Sequence, residues 1–105
     1  MPKVYVLNRG PHNYADAERF GTLVFCTEGN LDKFDTADMY RKLNDAMQDS
    51  QADDYILITS LTSLCCIASA IFSARHWRLN LLIHRSDGYV SRELYINNGD
   101  NVGNS

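Results

Sequence analysis

The sequence predicts an α/β domain: a small Rossmann-like mixed sheet of about five strands, mostly parallel with an antiparallel C-terminal hairpin, and two main helices. Three observations carry this reading. Short apolar or alternating runs of strand length recur at residues 3–8, 22–27, 55–59, 79–84 and 89–96. Helical periodicity fills the two longest intervals between them. Helical crossovers between successive strands imply parallel pairing, whereas the turn Arg85-Ser86-Asp87-Gly88 imposes an antiparallel return.

Lys3 to Asn8 (KVYVLN) alternates β-branched and aromatic residues until Arg9-Gly10-Pro11 breaks it. Residues 13–20 can form a turn or two of helix, capped by Asn13, with Asp16 and Glu18 near its positive end and Gly21 as the stop. Thr22 to Thr27 (TLVFCT) reads as a strand covered on both faces. From Asp35, Met39, Leu43, Ala46 and Met47 recur on one face of a helix of about 15 residues, with Asp35 as N-cap and Phe34 stapled onto Met39. Tyr55 to Thr59 is a buried central strand. Thr62 to His76 is apolar almost all round, so it is expected to be buried on more than one side, by the sheet and by either the rest of the fold or a second subunit. Arg75, His76 and Arg78 complement its dipole, and Trp77 is expected to lie as a lid over the core edge. A domain this small leaves one sheet face thinly covered, a natural homodimer surface.

Composition narrows the classes. Of 105 residues 45% are apolar, and 10 Lys+Arg against 13 Asp+Glu give a formal charge of −3. This is a globular chain without polyelectrolyte character, able to bury roughly 60–70% of its unfolded surface. Residues 1–96 read as one domain and 97–105 as a flexible polar tail. The longest apolar run, Leu64 to Ala74, is interrupted by Ser69 and Ser73 and is about half the length that a membrane span needs. The first residues lack the pattern of a signal peptide, so a cytoplasmic setting is expected. Cys65 and Cys66 are adjacent and cannot form an ordinary disulfide; with Cys26 they are read as reduced and buried. No metal-ligand spacing or cofactor motif is present, and no cofactor is predicted.

In an open parallel sheet, ligands bind beyond the carboxyl ends of the strands. The residues expected on that rim are Asn8, Arg9 and His12 after the first strand, Thr27 and Glu28 after the second, and Ser60, Thr62 and Ser63 after the third. The Ser60–Ser63 hydroxyls beside free helical N–H groups could dock an anion, with Arg9 and His12 supplying charge. The same residues are ordinary helix caps, and the glycines and lysine of a phosphate loop are missing. A second candidate surface is the basic and aromatic stretch Arg75, Trp77, Arg78, Arg85 and Arg92, which reads as a solvated face or as an interaction patch. Nucleic acid is the weaker partner for it, given the acidic net charge.

The block VLNRGPHNYADAERFGTLVFCTEG, together with DDYILITSLTSLCCIASAIFSARHWRLNLLIHR, resembles small accessory proteins of tailed bacteriophages over most of the chain up to Ile96. The resemblance implies a protein of the infected bacterial cytoplasm, where such modules block a host enzyme or sequester a nucleotide signal and so counter host defence. It carries no active-site motif. The combined expectation is a non-enzymatic binding module for an anionic, nucleotide-like small molecule at the strand-end rim. The alternative is a protein-interaction module that inhibits or recruits a host or virion protein. An enzyme resting on His12 and Glu28 ranks third.

Overall fold

The computed structural model describes residues 1–59, 61–86 and 88–96. The expected polar tail, 97–105, lies outside the described residues, as do Ser60 and Asp87. Five strands, β1 (Lys3–Val6), β2 (Thr22–Phe25), β3 (Tyr55–Leu57), β4 (Arg78–Arg85) and β5 (Gly88–Tyr95), form one sheet in the order β2-β1-β3-β4-β5. β1 pairs in parallel with both β2 and β3, β3 pairs in parallel with β4, and β4 and β5 are antiparallel. A 3-10 helix (Ala15–Arg19) links β1 to β2, α1 (Thr36–Ala46) links β2 to β3, and α2 (Thr62–His76) links β3 to β4.

Strand alternation divides the core in two. Tyr5, Leu7 and Ile56 point to one face, where Met39, Leu43 and Met47 of the α1 segment and Leu64, Ala68, Ile71 and Phe72 of α2 cover them. Val4, Val6, Leu57 and Leu82 point to the other, against Ala17 and Tyr89 with Tyr14, Phe20, Phe25 and Tyr55 around them. That second face is closed, not thinly covered as expected. The β4–β5 hairpin curls over it until β5 meets the 3-10 helix, where Asp16 Oδ2 accepts from Tyr89 N at 2.7 Å and Arg19 Nη2 donates to the Tyr89 carbonyl at 2.7 Å.

Several local expectations change. β2 lies at a sheet edge and is only partly buried, because the β1–β2 link turns away from the sheet centre. Phe34 is 84% exposed, so no staple forms, although Asp35 does cap α1 by accepting from Asp38 N at 3.1 Å. The first α1 turn enters from a polar loop that leaves Phe34 no core to reach. Trp77 is 59% exposed and sits in the left-handed region (φ 57°) at the end of α2, with its N–H on the Ser73 carbonyl. It is the exit residue of the helix, not a lid. Of the cysteines, Cys66 is exposed, whereas burial pushes the Cys26 thiol up to about 12. A Cβ at Gly21 would come within 2.2 Å of the Pro2 carbonyl oxygen, so only glycine admits the close entry of β2 beside β1.

At the amino ends of the strands a polar network replaces apolar packing. Asp54 is 1% exposed and accepts from Lys3 N and Gln51 N, both at 2.8 Å, with Lys3 Nζ at 3.2 Å. Asn80 Nδ2 donates to the carbonyls of Asp54 and Ala52, and Arg75 ties the end of α2 to the Met47 carbonyl and to Asn44 Oδ1. His76 stands 2.8 Å from Ser50 Oγ, its pKa lowered chiefly by burial and next by Arg75. Nearby, the buried Tyr5 hydroxyl has no hydrogen-bond partner among the described residues. Tyr5→Phe is therefore expected to raise the unfolding free energy by about 1 kcal/mol, since it removes a desolvated hydroxyl and keeps the ring. Urea denaturation checks this; a loss of stability would mean that the hydroxyl is satisfied.

Candidate functional site

β1 and β3 are neighbouring parallel strands whose outgoing connections leave on opposite faces. The β1 connection turns to the face of the 3-10 helix and the β3 connection to the face of α2. Such a divergence opens a crevice beyond the carboxyl ends of the two strands. A cleft of about 970 Å³ lies there, with Leu57, Ile58 and Ile83 as apolar lining, Asn8 and Thr59 as polar groups, and the segment Gly10–Tyr14 along one side.

Two aromatic pairs flank it. His12 and Tyr14 meet edge to face at 6.2 Å, and His84 and Tyr89 meet likewise at 5.4 Å. The first pair is fixed because Tyr14 Oη accepts from Gly10 N at 3.1 Å, which folds the loop after β1 back on itself. The second is fixed by the hairpin register, in which His84 stands opposite Tyr89, and by Asp16 and Arg19 gripping the Tyr89 backbone. The Tyr89 N–H, followed by Arg19, holds the Asp16 carboxyl below its ordinary value, whereas burial raises the Tyr89 phenol.

The residues expected on one rim separate into three places. Asn8 and His12 line the cleft, Asn8 held by a bond from Nδ2 to the Gly29 carbonyl at 3.2 Å. Arg9 turns outward, with its guanidinium 4.3 Å from the Phe25 ring centre and 3.5 Å from Glu28, so neither faces the cleft. Thr27 is buried, its Oγ1 2.7 Å from the Leu7 carbonyl and 2.8 Å from Asn8 Oδ1, and it positions Asn8. Thr62 and Ser63 border a separate hollow of about 200 Å³ beside Lys33 on the α2 side; Leu61 borders both spaces. Ser60 falls outside the described residues. The N-cap of α2 is Leu61, which offers no side-chain bond to the helix, and Thr59 Oγ1 instead accepts from Leu61 N at 3.2 Å.

Sequence reasoning about strand ends overlooked Tyr14, Asp16, Ile83, His84 and Tyr89 as parts of this site. A usable signal existed for one pair, because a two-residue hairpin loop after Arg85 sets His84 opposite Tyr89. The basic stretch does not form one surface. Arg78 and Arg85 lie at opposite ends of β4, about 23 Å apart for a strand of this length. Arg78 pairs with Glu93 at 3.4 Å and stacks on Tyr95, whereas Arg75 serves the α1–α2 junction.

Residues 2–97 match the family model of the phage Pam3 gp32-like protein. The chain belongs to this phage family. The matched span includes all five strands, both helices and every residue lining the cleft, so the phage Pam3 gp32-like family assignment covers the fold and the candidate site together. Comparison with curated proteins and with solved structures finds no match. Among the described residues no helix is long and apolar enough to cross a membrane, and no three His, Cys, Asp or Glu side chains are grouped to hold a metal.

Proposed function

We propose that this phage protein is a non-enzymatic accessory module that holds an anionic small molecule with a flat ring system, of the nucleotide class, at the carboxyl ends of its strands. The observation that carries the reading is the cleft at the β1–β3 divergence, flanked by the His12–Tyr14 and His84–Tyr89 pairs. A planar base gains stacking from such rings, while Asn8 and Thr59 offer polar contacts to its edges. Leu61 leads from the cleft to the first turn of α2, whose N–H groups have no side-chain cap among the described residues, and this supports placing the anionic end there. Binding without turnover fits the one carboxylate of the lining among the described residues, Asp16, being committed to Tyr89 N and Arg19. A ligand held in this way is withdrawn from the infected cell's pool, which is how the module would counter a host defence signal in its cytoplasm.

Calorimetry with mononucleotides and cyclic dinucleotides, supported by native mass spectrometry for co-purifying mass and subunit number, tests the proposal. At least one nucleotide is expected to bind, and His12→Ala or His84→Ala to weaken it about tenfold by removing a stacking wall. Arg9→Ala is expected to leave affinity unchanged, because its guanidinium lies on Phe25. Absence of binding across the panel overturns the proposal.

A further inference from the structure

Among the described residues β5 ends the sheet, and its outer edge is divided in two. Ile96 N donates to the Trp77 carbonyl at 2.8 Å, and the β4–β5 register then turns the N–H and C=O groups of the even-numbered β5 residues toward β4. The odd-numbered ones, Tyr89, Ser91 and Glu93, turn theirs outward. Tyr89 confirms the assignment, since Asp16 and Arg19 take its N–H and carbonyl from outside the sheet. Those two side chains close the edge at Tyr89. Beyond it the strand continues in unbroken register, without proline or bulge, the kind of edge that recruits a further strand.

The side chains along that open stretch show what fits. Even-numbered residues share the face of the larger core, and Leu94 is 53% exposed there with Arg92 beside it. Glu93 projects to the opposite face, where Arg78 neutralises it and the Tyr95 hydroxyl donates to it at 3.1 Å. Arg92 has no carboxylate partner among the described residues; its Nη1 donates to the carbonyl of its neighbour Ser91 at 2.7 Å. A second copy paired through the same edge would not satisfy it. Antiparallel β5–β5 pairing through the outward groups sets even residues against even ones, so Arg92 would face Val90, Arg92, Leu94 or Ile96 and never Glu93.

We propose that the Ser91–Glu93 edge takes an extended acidic segment of a partner protein as a sixth strand. Its N–H replaces the Arg92 guanidinium on the Ser91 carbonyl, the freed guanidinium pairs with a carboxylate of the incoming strand, and an apolar residue covers Leu94. Asp16 and Arg19 set the register by stopping the added strand short of Tyr89. This surface is separate from the cleft and stands or falls without it.

The test is amide exchange by NMR on the full chain, with a soluble peptide in which Glu and Val alternate at every second residue with Thr between them, so that one face of the strand presents both, and a second peptide with Lys in place of each Glu. The Glu–Val peptide is expected to slow exchange at Ser91 and Glu93 at least about tenfold, and the Lys–Val peptide to have no effect. Arg92→Glu should reverse the preference. Glu93→Pro, which removes an N–H directed away from β4, should abolish binding while Tyr89 stays protected, showing that the hairpin remains folded. Equal protection by both peptides, or by neither, overturns the proposal. Protection that grows with protein concentration alone also overturns it, in favour of self-association.

Discussion

Asp54→Ala is expected to lower the unfolding free energy by about 3–5 kcal/mol, enough to leave much of the chain unfolded at ordinary temperature. The carboxylate is 1% exposed, and its two oxygens each accept a backbone N–H, from Lys3 and from Gln51. Removing it strands both donors and leaves Lys3 Nζ, 3.2 Å away, without its counter-charge. Asp54→Asn separates the contributions: either orientation of the amide sets its NH₂ against one of the two N–H donors, for a loss of about 1–3 kcal/mol. Urea denaturation of both variants checks the order. A loss for Asp54→Ala below about 1 kcal/mol would show that water reaches the site and that the network is a surface one. Asp54 stands at the amino end of β3, the opposite end from the cleft, so ligand affinity per folded molecule should not change.

The strands, the two long helices and the hairpin were legible because each depends on local pattern. Leu64, Ala68, Ile71 and Phe72 repeat at helical spacing and Asp35 has cap chemistry, so neither needs a distant residue to be recognised. What stayed hidden depends on pairs far apart in the chain. Asp16 reads as an ordinary acid near a helix start, yet it closes the molecule by holding a backbone N–H 73 residues away. Arg9 reads as an anion ligand, and only the β1–β2 pairing reveals Phe25 beneath it and Glu28 beside it. The apolar run TLVFCT suggested burial on both faces, but strand order is fixed by the crossovers, which put β2 at an edge. The strand-end rule points to the carboxyl ends of the strands, where a crevice lies. It could not show that the connections after β1 and β3 diverge, and that divergence selects Asn8 and His12 while it separates Thr62 and Ser63 from them.

Asp16→Ala is expected to raise amide exchange at Tyr89 about a hundredfold while global stability changes far less, because it removes one clamp and leaves both cores intact. Tyr89 is the point where the sheet curls back on itself, and its ring, with His84, forms one aromatic side of the cleft. Loss of the clamp should free the hairpin tip and weaken ligand stacking in the same variant. Acid should produce the same effect in the native protein. Hydrogen bonds and Arg19 hold the Asp16 carboxyl below its ordinary value of 3.8, so the clamp's contribution is fully present above that pH and is lost as pH falls through the depressed folded value. Protection at Tyr89, corrected for intrinsic exchange, should fall in that acid window, and in Asp16→Ala the pH dependence should vanish. Gly88→Ala supplies an independent check, since its Cβ would stand 2.8 Å from Asp16 Oδ2 and push the carboxylate from Tyr89 without altering any charge. If Tyr89 keeps its protection in both variants, the curl of the hairpin is set by the packing of Val4, Val6, Leu82 and the Tyr89 ring, and the cleft wall is as rigid as the core beneath it.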